Sequence, residues 1–456
     1  MNPNIFPSLP VPGNGEIREI LVKRIDQQKQ AAGIAVGIIE PKGRRVVAYG
    51  NFAKGDPRTI DGGTIFEIGS ITKLFTSLLL ADMVNRQEVA LDDAAAKYLP
   101  ENVRMPERSG KLITLLDLST HTSGLPPFPG NLTPDGAEYS VDHLYRFLSG
   151  YTLARDPGSE YQYSNLGGGL LGHILARRAG TDYAGLIRSR IAQPLGMSDT
   201  GITLSSSIKQ RMATGHNALL APVAHSDLPA PLAGAGALRS SANDMLTFLE
   251  TFLGYRESPL APAMKTMLEI RRPARQAKIG LAWFIYSTDG REIATHSGAT
   301  RGFVSFTGCD PQERIGVVVL SNACTPSGVD DIGIHLLNPK APLANPEPPR
   351  QRTEIQIDPQ LLDHYTGRYQ VTPNLVFEIT REGSRLFAQG FAQLPQNRPG
   401  DLTGLPKFEL FAEGEKNFFA RVSDSQIAFE TGPDGRATSL LLRRAGRDLP
   451  AAPRLS

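Results

Sequence analysis

A proline-rich segment near residue 340 divides this chain more sharply than any other feature of its sequence. Residues 338–350 read NPKAPLANPEPPR, with five prolines in thirteen residues. Because proline fixes its own φ angle and has no N–H to donate, such a segment favours an extended linker over a helix or a central strand. We therefore predict a first domain at residues 1–337, a linker at 338–352 and a second domain at 353–456.

The first domain carries strand patterns towards both of its ends and helix patterns between them. Two strands joined by a turn are predicted between residues 33 and 49, and further strands between residues 293 and 320. Residues 61–253 read mainly as helices separated by Pro and Gly loops. These patterns predict an α/β fold, with an antiparallel sheet flanked by helices and a helical subdomain inserted at about residues 61–253.

The segment after the linker has a different pattern. Residues 365–444 alternate apolar and polar side chains in short runs, which is typical of half-buried strands. Turn signals such as Glu382-Gly383 and Pro433-Asp434-Gly435 separate these runs. The second domain is therefore predicted to be a small antiparallel β-barrel.

The charge balance of the chain bears on its partners. The 48 Lys and Arg residues nearly match the 46 Asp and Glu residues, and no block of like charge occurs. This favours a small-molecule or peptide substrate over nucleic acid. We expect no membrane span, because no apolar run reaches about 18 residues, and no export signal in the chain as written. The compartment stays open, since a chain with a trimmed signal looks the same, and a homo-oligomer is one alternative for the quaternary state.

The strongest chemical signal is Ser70-x-x-Lys73, which opens the apolar stretch at residues 74–84. Spacing of three residues places the Ser hydroxyl and the Lys amine on one helix face. A helix N-terminus favours developing negative charge, and desolvation lowers the pKa of a lysine towards that of a working base. The pattern predicts an activated serine nucleophile. The alternative is a core helix whose lysine points to solvent, and Ser206-x-x-Lys209 has the same spacing without an apolar helix behind it.

A second polar cluster contains Tyr163 and Asn165, shortly after a Pro-Gly turn. Alternate residues of an extended segment face the same side, so both side chains can point into one cleft. Tyr163 would then shuttle the proton from Ser70 to the leaving group, and Asn165 would bind a substrate amide. The alternative for Tyr163 is a half-buried packing residue.

A third cluster, His296-Ser297-Gly298-Ala299, lies at the end of a strand pattern. Gly298 would let a substrate backbone approach the strand, and the Ala299 N–H would join the Ser70 N–H in an oxyanion hole. His296 and Ser297 would supply hydrogen bonds nearby. The alternative is that His296 is simply a polar residue at a strand end.

The order and spacing of the three clusters resemble the motifs of the penicillin-binding and serine β-lactamase superfamily. The similar branch contains class C β-lactamases, D-alanyl-D-alanine carboxypeptidases and family VIII esterases. The likeness extends to residues 118–125, 194–200 and 234–238, and so covers about residues 17–337. The C-terminal segment resembles the lipocalin-like barrel found on some members.

This resemblance implies a role for each motif residue. Ser70 would be the nucleophile, and Lys73 and Tyr163 the proton-transfer pair. Asn165 would contact the substrate, and the amides of Ser70 and Ala299 would form the oxyanion hole. The implied reaction is hydrolysis of an amide bond through an acyl-enzyme, in β-lactams or in peptides that contain D-amino acids, without a metal or a cofactor.

One departure from the family pattern concerns the third motif. Typical β-lactamases of this branch carry Lys at its start, whereas this chain has His296, which is not reliably charged near neutral pH. Arg301 is a candidate to hold a substrate carboxylate instead, or else an exposed arginine in a surface ion pair. A carboxylesterase, a macrocyclising acyltransferase and a penicillin sensor that is acylated without turnover therefore stay open as alternatives.

Overall fold

A computed structural model of the chain separates into two units. It describes residues 10–132, 138–288, 290–349, 352–392, 403–404, 407–421, 425–444 and 447–455. The first unit comprises residues 1–216 and 220–347, and the second comprises residues 348–456 with 217–219. Residues 338–349 contain no helix or strand, while residues 350 and 351 of the predicted linker lie outside the described residues. The domain limits at 337 and 353 stay predictions.

The first unit alternates helices with short and long strands. Its helices are α1 (Asn14–Val22), α2 (Thr72–Asn85), α3 (Leu115–Ser119), α4 (Val141–Gly150), α5 (Asn165–Arg178), α6 (Tyr183–Ile187), α7 (Gln193–Leu195), α8 (Ser206–Lys209), α9 (Ala242–Phe252), α10 (Ala261–Glu269) and α11 (Asp330–Leu337). Its strands are β1 (Gly33–Glu40), β2 (Gly43–Gly50), β3 (Ile65–Glu67), β4 (Glu107–Arg108), β5 (Lys111–Leu112), β6 (Gly215–His216), β7 (Pro222–Val223), β8 (Arg239–Ser241), β9 (Arg272–Ala274), β10 (Ala277–Ile279), β11 (Phe284–Thr288), β12 (Arg291–Ala299), β13 (Val304–Asp310) and β14 (Ile315–Ser321).

Eight of these strands form one antiparallel sheet in the order β2-β1-β14-β13-β12-β11-β10-β9. Strand β1 pairs directly with β14, so both ends of the unit build the same sheet. Helix α9 packs on one face of the sheet, and α1 and α11 pack on the other. Strands β13 and β14 are buried along their whole length because helices cover both faces. The predicted α/β fold with an antiparallel sheet flanked by helices is confirmed.

Helix α2 lies inside the helical region and is enclosed on all sides. Every residue from Thr72 to Met83 is buried, including the charged Lys73. This explains why the segment is apolar almost throughout and shows no amphipathic stripe. The helix follows directly on a one-turn 3-10 helix at Gly69–Ile71, which carries Ser70.

Strands β9, β10 and β11 were not predicted from the sequence. Two of them are only three residues long, and their sequences, Arg-Pro-Ala and Ala-Lys-Ile, show little strand character. Their position at the sheet edge, paired in succession with β12, holds them in the extended conformation.

The second unit is built from antiparallel strands. They are β15 (Gly367–Thr372), β16 (Leu375–Glu382), β17 (Arg385–Ala392), β18 (Thr403–Gly404), β19 (Phe408–Ala412), β20 (Asn417–Ala420), β21 (Ser425–Thr431), β22 (Ala437–Arg444), β23 (Arg447–Asp448) and β24 (Ala452–Pro453). Strand β24 pairs with β22, and Arg454 bridges back to Tyr369 of β15, so the sheet nearly closes. The predicted C-terminal barrel is confirmed. Among the described residues, no helix has the length and apolar character needed to cross a membrane.

Candidate active site

The turn that carries Ser70 lies tightly against the end of β12. A Cβ atom added to Gly69 would lie 2.7 Å from the Ala299 nitrogen, and one added to Gly298 would lie 2.0 Å from the Ile68 carbonyl oxygen. Gly69 also has a positive φ of 49°, which favours glycine. Glycine is therefore required at both positions for the turn and the strand to approach each other this closely.

The end of β12 extends beyond its neighbour on one side. Strand β11 starts at Phe284, opposite Thr295, so within the described part of the chain residues 296–299 pair with β13 and with no strand on the other side. The turn around Ser70 contacts this end of β12. The Ala299 amide is thus brought next to the Ser70 turn, as expected of the predicted oxyanion hole.

Lys73 is held by three hydrogen bonds at the buried start of α2. Its Nζ lies 3.1 Å from the Ser70 hydroxyl, 2.8 Å from the Asn165 side-chain oxygen and 2.6 Å from the Ala235 carbonyl oxygen. Burial lowers the pKa of Lys73 well below its ordinary value. A neutral amine has two N–H groups, and the Asn165 and Ala235 oxygens can only accept hydrogen bonds. The remaining lone pair of Nζ is therefore available to the Ser70 hydroxyl proton.

The lowered pKa of Lys73 predicts how acylation depends on pH. Only the unprotonated amine can accept the Ser70 proton, so the acylation rate should rise with pH until Lys73 is deprotonated. The rate should level off well below the ordinary lysine pKa of 10.5. His296 should not contribute above mildly acidic pH, because burial lowers its pKa to about 3. The rate of labelling by an active-site serine reagent, measured against pH, checks this. A rate that climbs until about pH 10.5 contradicts it.

Tyr163 completes the group around Ser70. The Lys73 Nζ lies 4.8 Å from the centre of the Tyr163 ring, and the Tyr163 hydroxyl lies close enough to Ser70 for that residue to affect its pKa. Burial raises the pKa of Tyr163, although the nearby Ser70 acts in the opposite direction. Tyr163 is therefore a neutral phenol near neutral pH and can donate its proton.

His121 supports Tyr163 from behind. The two rings lie 4.5 Å apart, and the Ser164 N–H donates to His121 Nδ1 over 3.2 Å. Because Nδ1 accepts, the proton of the neutral ring is on Nε2. Burial lowers the pKa of His121 well below its ordinary value. His121 belongs to a stretch that matches the family pattern, but its contact with Tyr163 could not be predicted from the sequence.

Asn165 is the first residue of α5, and helix packing fixes its position. A Cβ at Gly168 would lie 3.0 Å from Lys73 Cε, and one at Gly169 would lie 2.7 Å from the backbone of Leu232. These glycines let α5 approach α2 and the segment containing Ala235. The Asn165 oxygen is engaged by Lys73, so its NH₂ group is the part that can meet a substrate carbonyl.

His296 is buried near the end of β12, with only 2% of its surface exposed. Its Nδ1 donates to the Ser297 carbonyl oxygen over 2.8 Å, since a carbonyl can only accept. Nε2 is thus unprotonated, and it makes no hydrogen bond within the part of the chain that is described. Burial lowers the pKa of His296 to about 3, so the imidazole is neutral. The third motif therefore lacks the positive charge that Lys would supply.

Ser297 and Arg301 have different surroundings. The Ser297 hydroxyl donates to Asp330 over 2.8 Å and faces a cavity of about 250 Å³. Arg301 lies exposed beyond the end of β12, where its backbone N–H donates to Ser226 over 3.3 Å. Arg301 does not line this cavity. Its predicted contact with a substrate carboxylate stays a prediction.

Comparison with known proteins identifies the family. The sequence model described as Beta-lactamase matches residues 19–337. The chain belongs to the β-lactamase family. As a β-lactamase family member it is a serine hydrolase of the β-lactam or D,D-peptidase type. The expected likeness to the serine β-lactamase and penicillin-binding protein superfamily is confirmed. Residues 351–452 match a domain of unknown function, DUF3471.

Individual proteins similar to this β-lactamase family member include both peptidases and β-lactamases. The D-alanyl-D-alanine-carboxypeptidase/endopeptidase AmpH of Escherichia coli is 30% identical over 318 residues, covering 64% of this chain and 79% of that protein. Penicillin-binding protein 4* of Bacillus subtilis is 24% identical over 432 residues, covering 88% and 90%. The crystal structure of a class C β-lactamase from Rhodobacter sphaeroides has 28% identity and a TM-score of 0.62, covering 71% of this chain and 97% of that one.

Several neighbours of the site were missed by sequence reasoning. Asp330 follows Ser297 by 33 residues, and no pattern in the sequence marked it as a partner of Ser297. Phe284 and Tyr286, which line the cavity, lie on the unpredicted strand β11. Ala235 acts through a backbone oxygen, which leaves no side-chain signal.

Proposed function

We propose that this protein hydrolyses amide bonds through an acyl-enzyme formed on Ser70. The single observation that carries the proposal is the hydrogen bonding of Lys73. Its amine is buried, and burial lowers its pKa, which favours the neutral form. The Asn165 and Ala235 oxygens accept its two N–H groups, which leaves the nitrogen lone pair for the Ser70 proton. An amine so placed is a competent general base for the serine.

The proton transfers follow from this arrangement. Lys73 takes the Ser70 proton while Oγ attacks the substrate carbonyl carbon, and the resulting oxyanion is held by the Ser70 and Ala299 amides. Tyr163 gives its proton to the leaving nitrogen as the C–N bond breaks, and the protonated Lys73 restores it. Water then attacks the acyl carbon by the reverse transfers, which frees Ser70. Asn165 holds a substrate carbonyl through its NH₂ group.

The proposed substrates are β-lactams and peptides that contain D-amino acids. The names of similar proteins, a D-alanyl-D-alanine carboxypeptidase/endopeptidase and a class C β-lactamase, support this choice. Both substrate types present an amide to the same nucleophile. The test is to measure hydrolysis of benzylpenicillin and of a peptide ending in D-alanyl-D-alanine, with Ser70→Ala as the control. If neither substrate is hydrolysed, the proposed substrate class is wrong.

A carboxylesterase of the same fold is the second candidate, and one observation favours it. The third motif carries a neutral His296 and no Lys, so the site lacks the charge that would attract a substrate carboxylate. If the protein hydrolyses short-chain p-nitrophenyl esters but no amide substrate, that result would favour the carboxylesterase. An acyltransferase or a penicillin sensor would share the acylation step and differ in what removes the acyl group.

Tyr163→Phe is expected to lower turnover by about 10²- to 10⁴-fold while the fold stays intact, because the phenol donates the proton to the leaving group. The ring and its contacts with His121 and Lys73 are kept. The measurement is kcat for the best amide substrate, with the unfolding temperature as the control. A near-normal kcat removes Tyr163 from the mechanism.

We also propose the domain division predicted above: a catalytic domain at residues 1–337, a linker at 338–352 and a barrel domain at 353–456. The limits of the two family matches, 19–337 and 351–452, support this division.

A further inference from the structure

We propose that the cavity beside the third motif binds a protonated amine of the substrate, with Asp330 as its counter-charge. The proposal rests on the proposed function, because it assigns the charge of the substrate that Ser70 attacks. Three properties of the cavity carry it: its aromatic walls, the hydrogen-bonding roles of its polar groups and its net charge.

The walls of the cavity are largely aromatic. Its lining consists of Tyr163, Phe284, Tyr286, Thr295, His296 and Ser297. The face of an aromatic ring attracts a cation and is indifferent or unfavourable to an anion. Tyr163 also packs against Lys73, whose Nζ lies 3.1 Å from the Ser70 hydroxyl, so a group bound in this cavity lies close to the nucleophile.

The two polar groups of the third motif act as acceptors in this cavity. His296 lines the cavity, and because its Nδ1 donates to the Ser297 carbonyl, its buried Nε2 carries no proton and has a lone pair that no group in the described residues uses. The Ser297 hydroxyl proton is directed to Asp330, so its oxygen also presents lone pairs. A ligand that donates several N–H groups satisfies such acceptors, whereas a carboxylate would meet them with like lone pairs. An ammonium group has three N–H donors.

The charge next to the cavity is negative. Asp330, at the start of α11, accepts a hydrogen bond of 2.8 Å from Ser297, which lines the cavity. Burial raises the pKa of Asp330, and this hydrogen bond opposes that shift by favouring the charged carboxylate. The charge of Asp330 adds to burial in raising the pKa of Tyr286, one of the lining residues. The adjacent Asp331 is paired with Arg24 and is therefore neutralised. Among the described lining residues none is cationic. A substrate carboxylate would thus face a like charge, and a substrate ammonium an opposite one.

The test compares three D-alanine p-nitroanilides that differ only at nitrogen: the free amine, the N-acetyl and the N-succinyl compounds, with positive, neutral and negative charge. We expect kcat/KM for the free amine to exceed that for the N-acetyl compound about tenfold, with the N-succinyl compound lowest. Asp330→Asn should bring the amine-to-acetyl ratio close to one. The matched control Glu292→Gln removes a carboxylate from the far end of β12 and should leave the ratio unchanged.

A second readout does not depend on turnover. Labelling of Ser70 by a fluorophosphonate is measured with D-alaninamide or N-acetyl-D-alaninamide as the competitor. D-Alaninamide should protect the wild-type protein at about tenfold lower concentration, and Asp330→Asn should abolish that difference. Equal protection by both amides, or a higher kcat/KM for the N-succinyl anilide, overturns the amine proposal. The proposed function still stands in that case, provided that Ser70 is labelled. Absence of Ser70 labelling overturns both.

Discussion

Lys73→Met is expected to slow acylation of Ser70 by about three orders of magnitude. Methionine fills a similar volume next to Gly168 but has no amine to accept the Ser70 proton. The fold should not suffer, because the substitution removes a polar group that is 2% exposed, and burying such a group costs stability. The measurement is the rate of labelling by an active-site serine reagent at neutral pH, together with Tm.

Lys209→Met is the matched control for this experiment. Ser206-x-x-Lys209 has the same spacing, but helix α8 has no buried residue, so Lys209 keeps its solvent shell. This variant should be labelled at the wild-type rate. If Lys73→Met is labelled within about tenfold of the wild-type rate, a different group is the base and the proposed mechanism is wrong.

Ser70→Ala should reduce hydrolysis of every substrate by at least about four orders of magnitude, because no acyl-enzyme can form. The substitution removes one hydroxyl at a half-buried position and leaves the glycine contacts of the turn unchanged. The measurement is kcat/KM for a p-nitrophenyl ester and for the best amide substrate. The control variant Ser206→Ala, in the exposed Ser206-x-x-Lys209 motif, should have the wild-type kcat/KM. Comparable rates for the Ser70→Ala and Ser206→Ala variants would exclude Ser70 as the nucleophile.

The sheet of the first unit could be predicted because its central strands are apolar along their length. Strand β14, Ile-Gly-Val-Val-Val-Leu-Ser, is such a case. The edge strands β9 to β11 could not, because their extended conformation comes from pairing and not from the residues themselves. Phe284 and Tyr286 of β11 line the cavity at the site, so its aromatic walls could not be predicted from the sequence.

The motif residues around Ser70 were identifiable because each is a side chain of a recognised pattern. Their charge states were not, because these depend on burial. Lys73 and His296 are each about 2% exposed, and desolvation is the main cause of the lowered pKa of both. The contacts of Ala235 and Asp330 arise only when distant segments meet in the folded chain.

The central claim is that catalysis passes through an acyl-enzyme on Ser70. The most direct test is intact mass spectrometry of the protein mixed with benzylpenicillin, followed over time beside the Ser70→Ala variant. We predict a mass increase equal to one whole penicillin in the wild-type protein and none in the variant. Decay of that adduct would establish β-lactamase activity, and persistence would indicate a carboxypeptidase or a sensor. An adduct that forms equally in Ser70→Ala, or penicillin hydrolysis that survives in that variant, contradicts the claim.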